Sequence, residues 1–410
     1  MSTTKELKIG LISHLFPSKR DPHRGKYMLD QYKAIQAIPD LKLRLLVPTP
    51  RAILGTQKWK TNNSALHEVA PDDERVKYIS LPRRIKPLVI QKNISRALLQ
   101  KLNLEKPDLL HIHWLYPDAL AIPALKQAGY PIVLTIHGSD WYKSLAYPNL
   151  KPLLYEALKQ ADYILCSGPK LKTDILVEMP CIEHKIEVIY NYIDTQFYTV
   201  PSAFESLRAI NQLEWKGEHT HALCVANIRH EKGIDVLIDA LNHLNKGAII
   251  NDSNNINLLF VHVIGIIESG EYADSIKKRL NEDTSIPMKI YTPVSPDELK
   301  LFYHASDFFI LPSRSEGFNV SLIEASSCGL PIVATKVGGN HLIIRTKKFG
   351  ELVKPDNAIS LANKIQNLMK KIDKYKPDYI RNETVKDYDL SILTKKLKRI
   401  YTDVLQVNSK

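Results

Sequence analysis

Residues 307–339 read DFFILPSRSEGFNVSLIEASSCGLPIVATKVGG, and two glutamates in this stretch, Glu316 and Glu324, stand with seven residues between them. The run FFIL (308–311) is short, continuous and apolar, as in a strand buried on both faces. A Pro-Ser-Arg-Ser-Glu-Gly turn follows, and Asn319 is placed to cap a helix whose apolar positions Val320, Ile323 and Ser327/Cys328 keep helical spacing. Gly329 and Pro331 punctuate its end, PIVAT opens a second buried strand, and Val-Gly-Gly closes it. The stretch therefore reads as one βαβ unit, with Glu316 in the loop at a strand's carboxyl end and Glu324 in the second turn of the helix. Open α/β sheets bind ligands at the carboxyl ends of their strands, and a helix N-terminus beside them favours phosphate.

The same alternation recurs along the chain. KIGLIS, LRLLV, DLLHIHW, PIVLTIH, DYILCS and IEVIYN predict six strands in the first half. HALCVANI, INLLFVHVIG, MKIYTPV, DFFILP, PIVATKV and GELVKP predict six in the second. Amphipathic stretches such as IDVLIDALNHL and PDELKLFYHASD lie between them. The fold class expected is α/β, with two doubly wound parallel sheets, Rossmann-like, facing one another across a cleft. At 410 residues the chain is long enough for two cores. The expected domains are 1–200 and 201–385, joined through the polar stretch 198–220, with a basic amphipathic helix in 386–410 packing back on the first. NDSNN (251–255) reads as a loop tip.

Composition narrows the class. A hydrophobic content of 44% with mixed charge describes a globular chain. The longest apolar run, INLLFVHVIGII, is interrupted by His262 and too short to span a bilayer, and MSTTKELKIGLI lacks the layout of a secretory signal. Cys166, Cys181, Cys224 and Cys328 stand far apart and read as buried thiols in a reducing, cytoplasmic setting. The net charge of +12 concentrates in the first half, where residues 51–100 hold ten Lys/Arg against four Asp/Glu. RVKYISLPRRIKPLVIQKNISRALLQKL (75–102) has two readings, a solvated basic helix or a patch on an anionic membrane surface at the inner face of the cell membrane. No recognition motif or regular aromatic interleaving points to nucleic acid.

Residues with useful chemistry gather just past strand ends: His113, His137 with Gly138 and Asp140, Asn191, Asn227, Thr292, Glu316, and Gly338 with Gly339. Core packing does not predict that placement, whereas a ligand site does. Neither G-x-G-x-x-G nor G-x-x-x-x-G-K-[ST] is present, which argues against a dinucleotide enzyme and a P-loop NTPase. Gly25 precedes a helix after the first strand, and Lys232-Gly233 stands between a strand and a helix, where a cation is suited to a diphosphate. His111 and His113 alternate with Leu110 and Ile112 and are expected one in each layer, as satisfied core histidines. His14 and His23 lie in the first loop, within reach of a second substrate.

EGFNVSLIEASSCGLPIVAT, with its E-x7-E, resembles the retaining GT-B glycosyltransferases of family GT4, the glycosyl transferases group 1. Further motifs match in the family's order over about residues 8–360. They are FP…G (16–25), PDLLHIHW, TIHGSDW (135–141), VIYNYIDTQFY (188–198), NIRHEKGIDVLIDA, YTPVSPDELKLFYHASDFFILPSRSEGF and VGGN…GELVKPD. The bacterial envelope-polysaccharide members are closest in flavour.

The resemblance implies transfer of a sugar from a UDP-, GDP- or ADP-sugar to a lipid-linked or envelope glycan, with no cofactor and no divalent metal. It implies that Glu316 orients the donor sugar's hydroxyls, with backbone amides from Gly317, Phe318, Asn319 and Val320, and that Glu324 holds the ribose. Lys232 would meet the diphosphate and stabilise the leaving group, and His137 would lie over the sugar, supported by Asp140. Thr292 to Ser295, Val294 among them, would line the base; Gly25 would border the diphosphate, and Asn191 would support the site. Where the family often has Gly-Arg, this chain has Ala226-Asn227, leaving Asn227 or Arg229 to supply the missing contact, and Leu342 stands where a Glu is frequent. A nucleotide-sugar epimerase of the same shape would need more acid/base side chains than His137. A non-catalytic membrane adaptor would have no use for Lys232, Glu316, Glu324 and His137 together.

Overall fold

The computed structural model describes residues 6–17, 25–52, 75–80, 86–217, 219–251, 259–283 and 286–408. They form two compact units, Met1–Tyr190 with Leu390–Lys410, and Asn191–Asp389. The division therefore falls ten residues ahead of the expected boundary, and the stretch 198–220 lies inside the second unit, where it carries the helix Ala203–Gln212. Ser202 and Glu205 close a reciprocal capping box at the start of that helix, a local signal of helix onset rather than of a linker. His23 and residues 252–255 lie outside the described residues.

The first unit is built on strands β1 (Leu7–Ile12), β2 (Leu41–Ala52), β3 (Arg75–Ser80), β4 (Leu109–His113), β5 (Ile132–Ile136), β6 (Tyr163–Cys166) and β7 (Ile186–Val188). All pair in parallel, in the order β3-β2-β1-β4-β5-β6-β7. β3 is a strand that the reading of 75–102 as one basic helix missed. Val76 and Tyr78 are buried while Lys77 and Ile79 are exposed, a period of two that is short and masked by cations. The helix begins only at Pro87 and runs to Leu102, burying Ile90, Ile94 and Leu98.

β1 is flanked on both sides, so Ile9, Leu11 and Ile12 are fully buried, as are Leu109, Leu110 and Ile112 of β4. The terminal helix Leu390–Asn408 belongs to this unit. Its Tyr401 is fully buried with Oη 2.7 Å from Nδ1 of His111, and its Lys396 donates to the Val188 carbonyl.

The second unit contains β8 (Thr220–Val225), β9 (Leu259–Ile264), β10 (Met288–Tyr291), β11 (Phe308–Leu311), β12 (Ile332–Thr335) and β13 (Gly350–Val353). They form a parallel sheet in the order β10-β9-β8-β11-β12-β13. Phe308, Phe309, Ile310 and Leu311 are all fully buried, as the continuous apolar run requires. The ends of this unit's chain pair with each other: Ile193 bridges Asp389, Ile193 N donates to the Tyr388 carbonyl, and Thr195 Oγ1 donates to Asp389 Oδ2.

Each sheet reverses its strand order once, between β1 and β4 in the first unit and between β8 and β11 in the second. Backbones diverge at such a switch point and leave a crevice at the strands' carboxyl ends. Cys166, Cys224 and Cys328 are buried as expected, but Cys181 is exposed, since it lies on the short turn Pro180–Lys185 and not on a strand or core helix. Among the described residues no helix is long and apolar enough to cross a membrane.

Candidate active site

At the switch point of the second unit two loops are pressed together. The chain leaves β8, makes a single turn over His230–Lys232, and enters the helix Ile234–Asn251 through Gly233 at φ 65°. A Cβ on Gly233 would stand 2.2 Å from the Pro312 carbonyl oxygen, so only glycine lets this loop touch the end of β11. Arg314 N and Ser315 N both donate to the Glu231 carbonyl, zipping the loops. From the other side Gly338, at φ 49°, sits so close that a Cβ would meet the Glu316 carbonyl oxygen at 2.3 Å.

Lys232 and Glu316 meet inside this clamp. Lys232 Nζ donates to Glu316 Oε1 at 2.6 Å, and Ser313 Oγ donates to the same oxygen at 2.6 Å. The two side chains keep only 12% and 8% of their surface exposed. Oε1 is thus occupied by the fold, while Oε2 accepts no hydrogen bond among the described residues. Burying an ion pair is costly unless its remaining valences find partners. A carboxylate with one oxygen locked and the other open is an arrangement for a ligand that brings donors.

Arg314, two residues before Glu316, was not singled out from sequence and stiffens the clamp. Its guanidinium forks onto Asp235 (2.8 and 2.7 Å) and donates from Nε to Asp356 at 2.5 Å and from Nη1 to the His230 carbonyl. Burial pushes the Asp235 carboxyl up, but hydrogen bonds from Arg314 and Tyr272 outweigh it and bring the group down to about 2.

Glu324 lies on the helix Val320–Ser327, begun by Asn319, whose Oδ1 accepts from Ser321 N and Leu322 N. It is partly buried, and Tyr303 Oη donates to its Oε2 at 2.8 Å. Tyr303 is fully buried on the helix Pro296–Ala305; burial, then the nearby Glu324 charge, keeps its hydroxyl protonated and a donor. The loop before that helix holds exposed Thr292 and half-buried Val294 and ends in a capping box of Ser295 and Glu298. One helix therefore connects the expected base-lining loop to the residue that fixes Glu324. Tyr303 is invisible in sequence because it occupies an ordinary apolar-face position.

The other expected residues divide. Gly317 is exposed, Phe318 is buried, Val320 is half-buried, and Asn191 supports their loop by donating from Nδ2 to the Phe318 carbonyl at 2.8 Å. Asn227 spends its Oδ1 on Ile266 N, leaving its amide nitrogen as a donor. The Arg229 guanidinium lies beside two carboxylates, 3.7 Å from Glu268 and 4.0 Å from Glu231, while its backbone carbonyl accepts from Lys232 N at 2.9 Å. Its charge is answered there.

In the first unit the switch point gathers imidazoles. His111 and His113 do not point into opposite layers: their rings stand 4.3 Å apart, because residues two apart on a strand share a face. His111 is satisfied by Tyr401 and Thr135, and His113 Nδ1 lies 3.1 Å from His137 Nε2. Burial, with His14 nearby, pushes His137 down to about 3, so its ring is neutral. Asp140 does not touch that ring. It accepts from the backbone of Leu115, His137 and Trp141, and so pins the loop that carries His137. Gly25, at φ 75°, heads the helix Lys26–Gln36, where a Cβ would stand 2.9 Å from the Leu15 carbonyl oxygen. His14 and the fully buried Asp118 form a pair at 2.9 Å beside Trp114. Among the described residues no group of three His, Cys, Asp or Glu is arranged to hold a metal.

Two parallel-sheet α/β units, with their polar side chains at the switch points, define the fold class, and solved structures of glycosyltransferases share it. Anabaena Alr3699/HepE, solved in complex with UDP, superposes with a TM-score of 0.73 at 16% identity, covering 97% of this chain and 100% of that one. This is the GT-B fold. Residues 60–197 match the family Glycosyltransferase Family 4 and residues 206–384 match Glycosyl transferases group 1. The chain is a glycosyltransferase belonging to these families. An uncharacterized glycosyltransferase of Methanocaldococcus jannaschii is 25% identical, over 87% of this chain and 88% of the relative. The UDP-Gal:alpha-D-GlcNAc-diphosphoundecaprenol alpha-1,3-galactosyltransferase of Escherichia coli is 24% identical, over 81% and 85%.

Proposed function

We propose that this glycosyltransferase moves a sugar from a nucleoside-diphosphate sugar to a lipid-linked or cell-envelope glycan, with retention of anomeric configuration and without a divalent metal. The observation that carries the reading is the half-occupied carboxylate of Glu316, locked through Oε1 by Lys232 and Ser313 and open at Oε2. That open oxygen accepts hydroxyl protons of the donor sugar, and Lys232 neutralises the diphosphate as the glycosidic bond breaks, in place of a cation. Glu324 accepts from the ribose hydroxyls, and His137, held neutral, serves the sugar as the third catalytic residue. The acceptor hydroxyl attacks on the face that the nucleotide leaves, and the departing phosphate oxygen takes its proton. Anabaena HepE has been solved in complex with UDP-glucose, and the E. coli relative is named for a UDP-sugar and a diphosphoundecaprenol-linked acceptor.

The test is to incubate the chain with UDP-, GDP- and ADP-sugars, with and without octyl glycosides and N-acetylglucosaminyl diphosphoundecaprenol. Product linkage is read by NMR, and a chelator is added in parallel. No donor turnover, an inverted linkage, or loss of rate with chelator would each refute the corresponding part.

Two further expectations follow from the same reading. Tyr303→Phe removes only the hydroxyl that fixes Glu324. The variant is expected to bind the nucleotide about tenfold more weakly, in keeping with one hydrogen bond to a charged group, and to lose preference for ribose over 2′,3′-dideoxyribose; calorimetry with both nucleotides measures this. An unchanged preference would separate Glu324 from the ribose. For the membrane, exposed Ile79, Leu88 and Val89 lie among Lys77, Lys86, Lys92 and Arg96. The chain should co-sediment with vesicles containing anionic phosphatidylglycerol and not with neutral phosphatidylcholine, and release by about 0.5 M salt should accompany it. Equal behaviour on both vesicles would remove the membrane from the proposal.

A further inference from the structure

We propose that His14 and Asp118 at the switch point of the first sheet form a binding site for a hydroxyl of the sugar acceptor, with His14 Nε2 as the atom that meets it. This rests on the transferase reading above and adds to it the residues that receive the second substrate.

Hydrogen bonding fixes the tautomer. Asp118 Oδ2 already accepts the His14 backbone N–H at 2.8 Å, and the same oxygen faces His14 Nδ1 at 2.9 Å. An oxygen accepting one proton there receives a second from Nδ1–H, which leaves Nε2 as the ring nitrogen open to a ligand. No described residue pairs with Nε2, and the His14 side chain keeps 19% of its surface exposed while Asp118 keeps none. The ring is held edge-on against Trp114, with centroids 5.7 Å apart, and Trp114 in turn lies 4.3 Å from His137. A ring fixed by Asp118 and Trp114 just past the end of β1, with one nitrogen left over, is what recognition of a hydroxyl needs.

Packing alone does not account for the pair. Asp118 is fully buried, and its Oδ1 has no hydrogen-bond partner among the described residues. A buried carboxylate with half its capacity unused costs more than a neutral amide that would tie down His14 equally well. Trp114, which leads from β4 towards Asp118, is held at φ 77°, a left-handed conformation that bulky residues rarely adopt. Such strain persists where the surroundings enforce it, commonly at ligand sites. Finally, the place is the one at which the second sheet keeps Lys232 and Glu316.

The experiment measures steady-state kinetics of wild type, His14→Ala and His14→Gln with whichever UDP-, GDP- or ADP-sugar the wild type turns over and whichever of the octyl glycosides or N-acetylglucosaminyl diphosphoundecaprenol it glycosylates. His14→Ala should raise the acceptor KM about tenfold or more while the donor KM stays within about twofold, and His14→Gln, which can place an amide oxygen near the Nε2 position, should recover part of the loss. Thermal unfolding of both variants identifies any loss of fold, and His14→Gln carries the comparison if His14→Ala unfolds. An acceptor KM unchanged in both variants, or equal changes in both KM values, overturns the proposal. A wild-type chain that turns over no nucleotide sugar refutes instead the function on which it rests.

Discussion

Glutamine in place of Glu316 should lower kcat for glycosyl transfer about a hundredfold and leave the affinity for the bare nucleoside diphosphate within about threefold, the pattern expected if the proposed contact is made to the sugar and not to the nucleotide. The substitution preserves volume, and an amide oxygen still receives Lys232 and Ser313 where Oε1 does now. What changes is the open position, where an acceptor of hydroxyl protons becomes an NH2 donor. The side chain is 8% exposed, so the lost bonds are not recovered from bulk water. Parallel titrations with nucleotide and initial rates with nucleotide sugar decide the matter. If affinity and turnover fall together, Glu316 maintains the loop and does not read the sugar.

Lys232→Met should have the larger effect, a fall in kcat/KM of about a thousandfold, since on the proposed mechanism the charge it removes grows in value as the diphosphate departs. Binding should change selectively as well. Wild type should prefer a nucleoside diphosphate to the monophosphate, and the variant should bind both alike, as the proposed contact of the cation with the terminal phosphate requires. Methionine keeps the apolar stem packed in the clamp, so the change isolates charge from volume. It also leaves Glu316 buried without its cation, and a reduced unfolding temperature should accompany the kinetic loss. Undiminished preference for the diphosphate would move the phosphate site away from Lys232.

The second unit was legible because its information is local. The run FFIL, the capping Asn319 and the left-handed Gly329 each act within a few residues, and all six expected strands occur. The first unit is less legible. β3 was absorbed into the helix that follows it, since six residues with alternating cations carry a weak period. A separation of two along a strand places His111 and His113 on one face, against the expectation of opposite layers. Partners that arrive through the tertiary fold left no trace in spacing: Asp118 meets His14 across 104 residues, and Tyr303 meets Glu324 from another helix. Arg229 looked useful by proximity in sequence, yet its neighbours in space are acidic.

The zippered ends of residues 191–389 bear on how the polypeptide acquires its shape. Helix 390–408 must return to β4 after an excursion of roughly two hundred residues, and closing so long a coil costs entropy that rises with the logarithm of its length. Once Ile193 has paired with Asp389, that excursion behaves as a tether of a few residues. On this argument the later-synthesised unit should assist completion of the earlier one, with the burial of Tyr401 beside His111 expected late in assembly. A chain nicked within 191–389 should still complete it, whereas a chain unable to pair those ends should leave its carboxyl-terminal helix open to proteases.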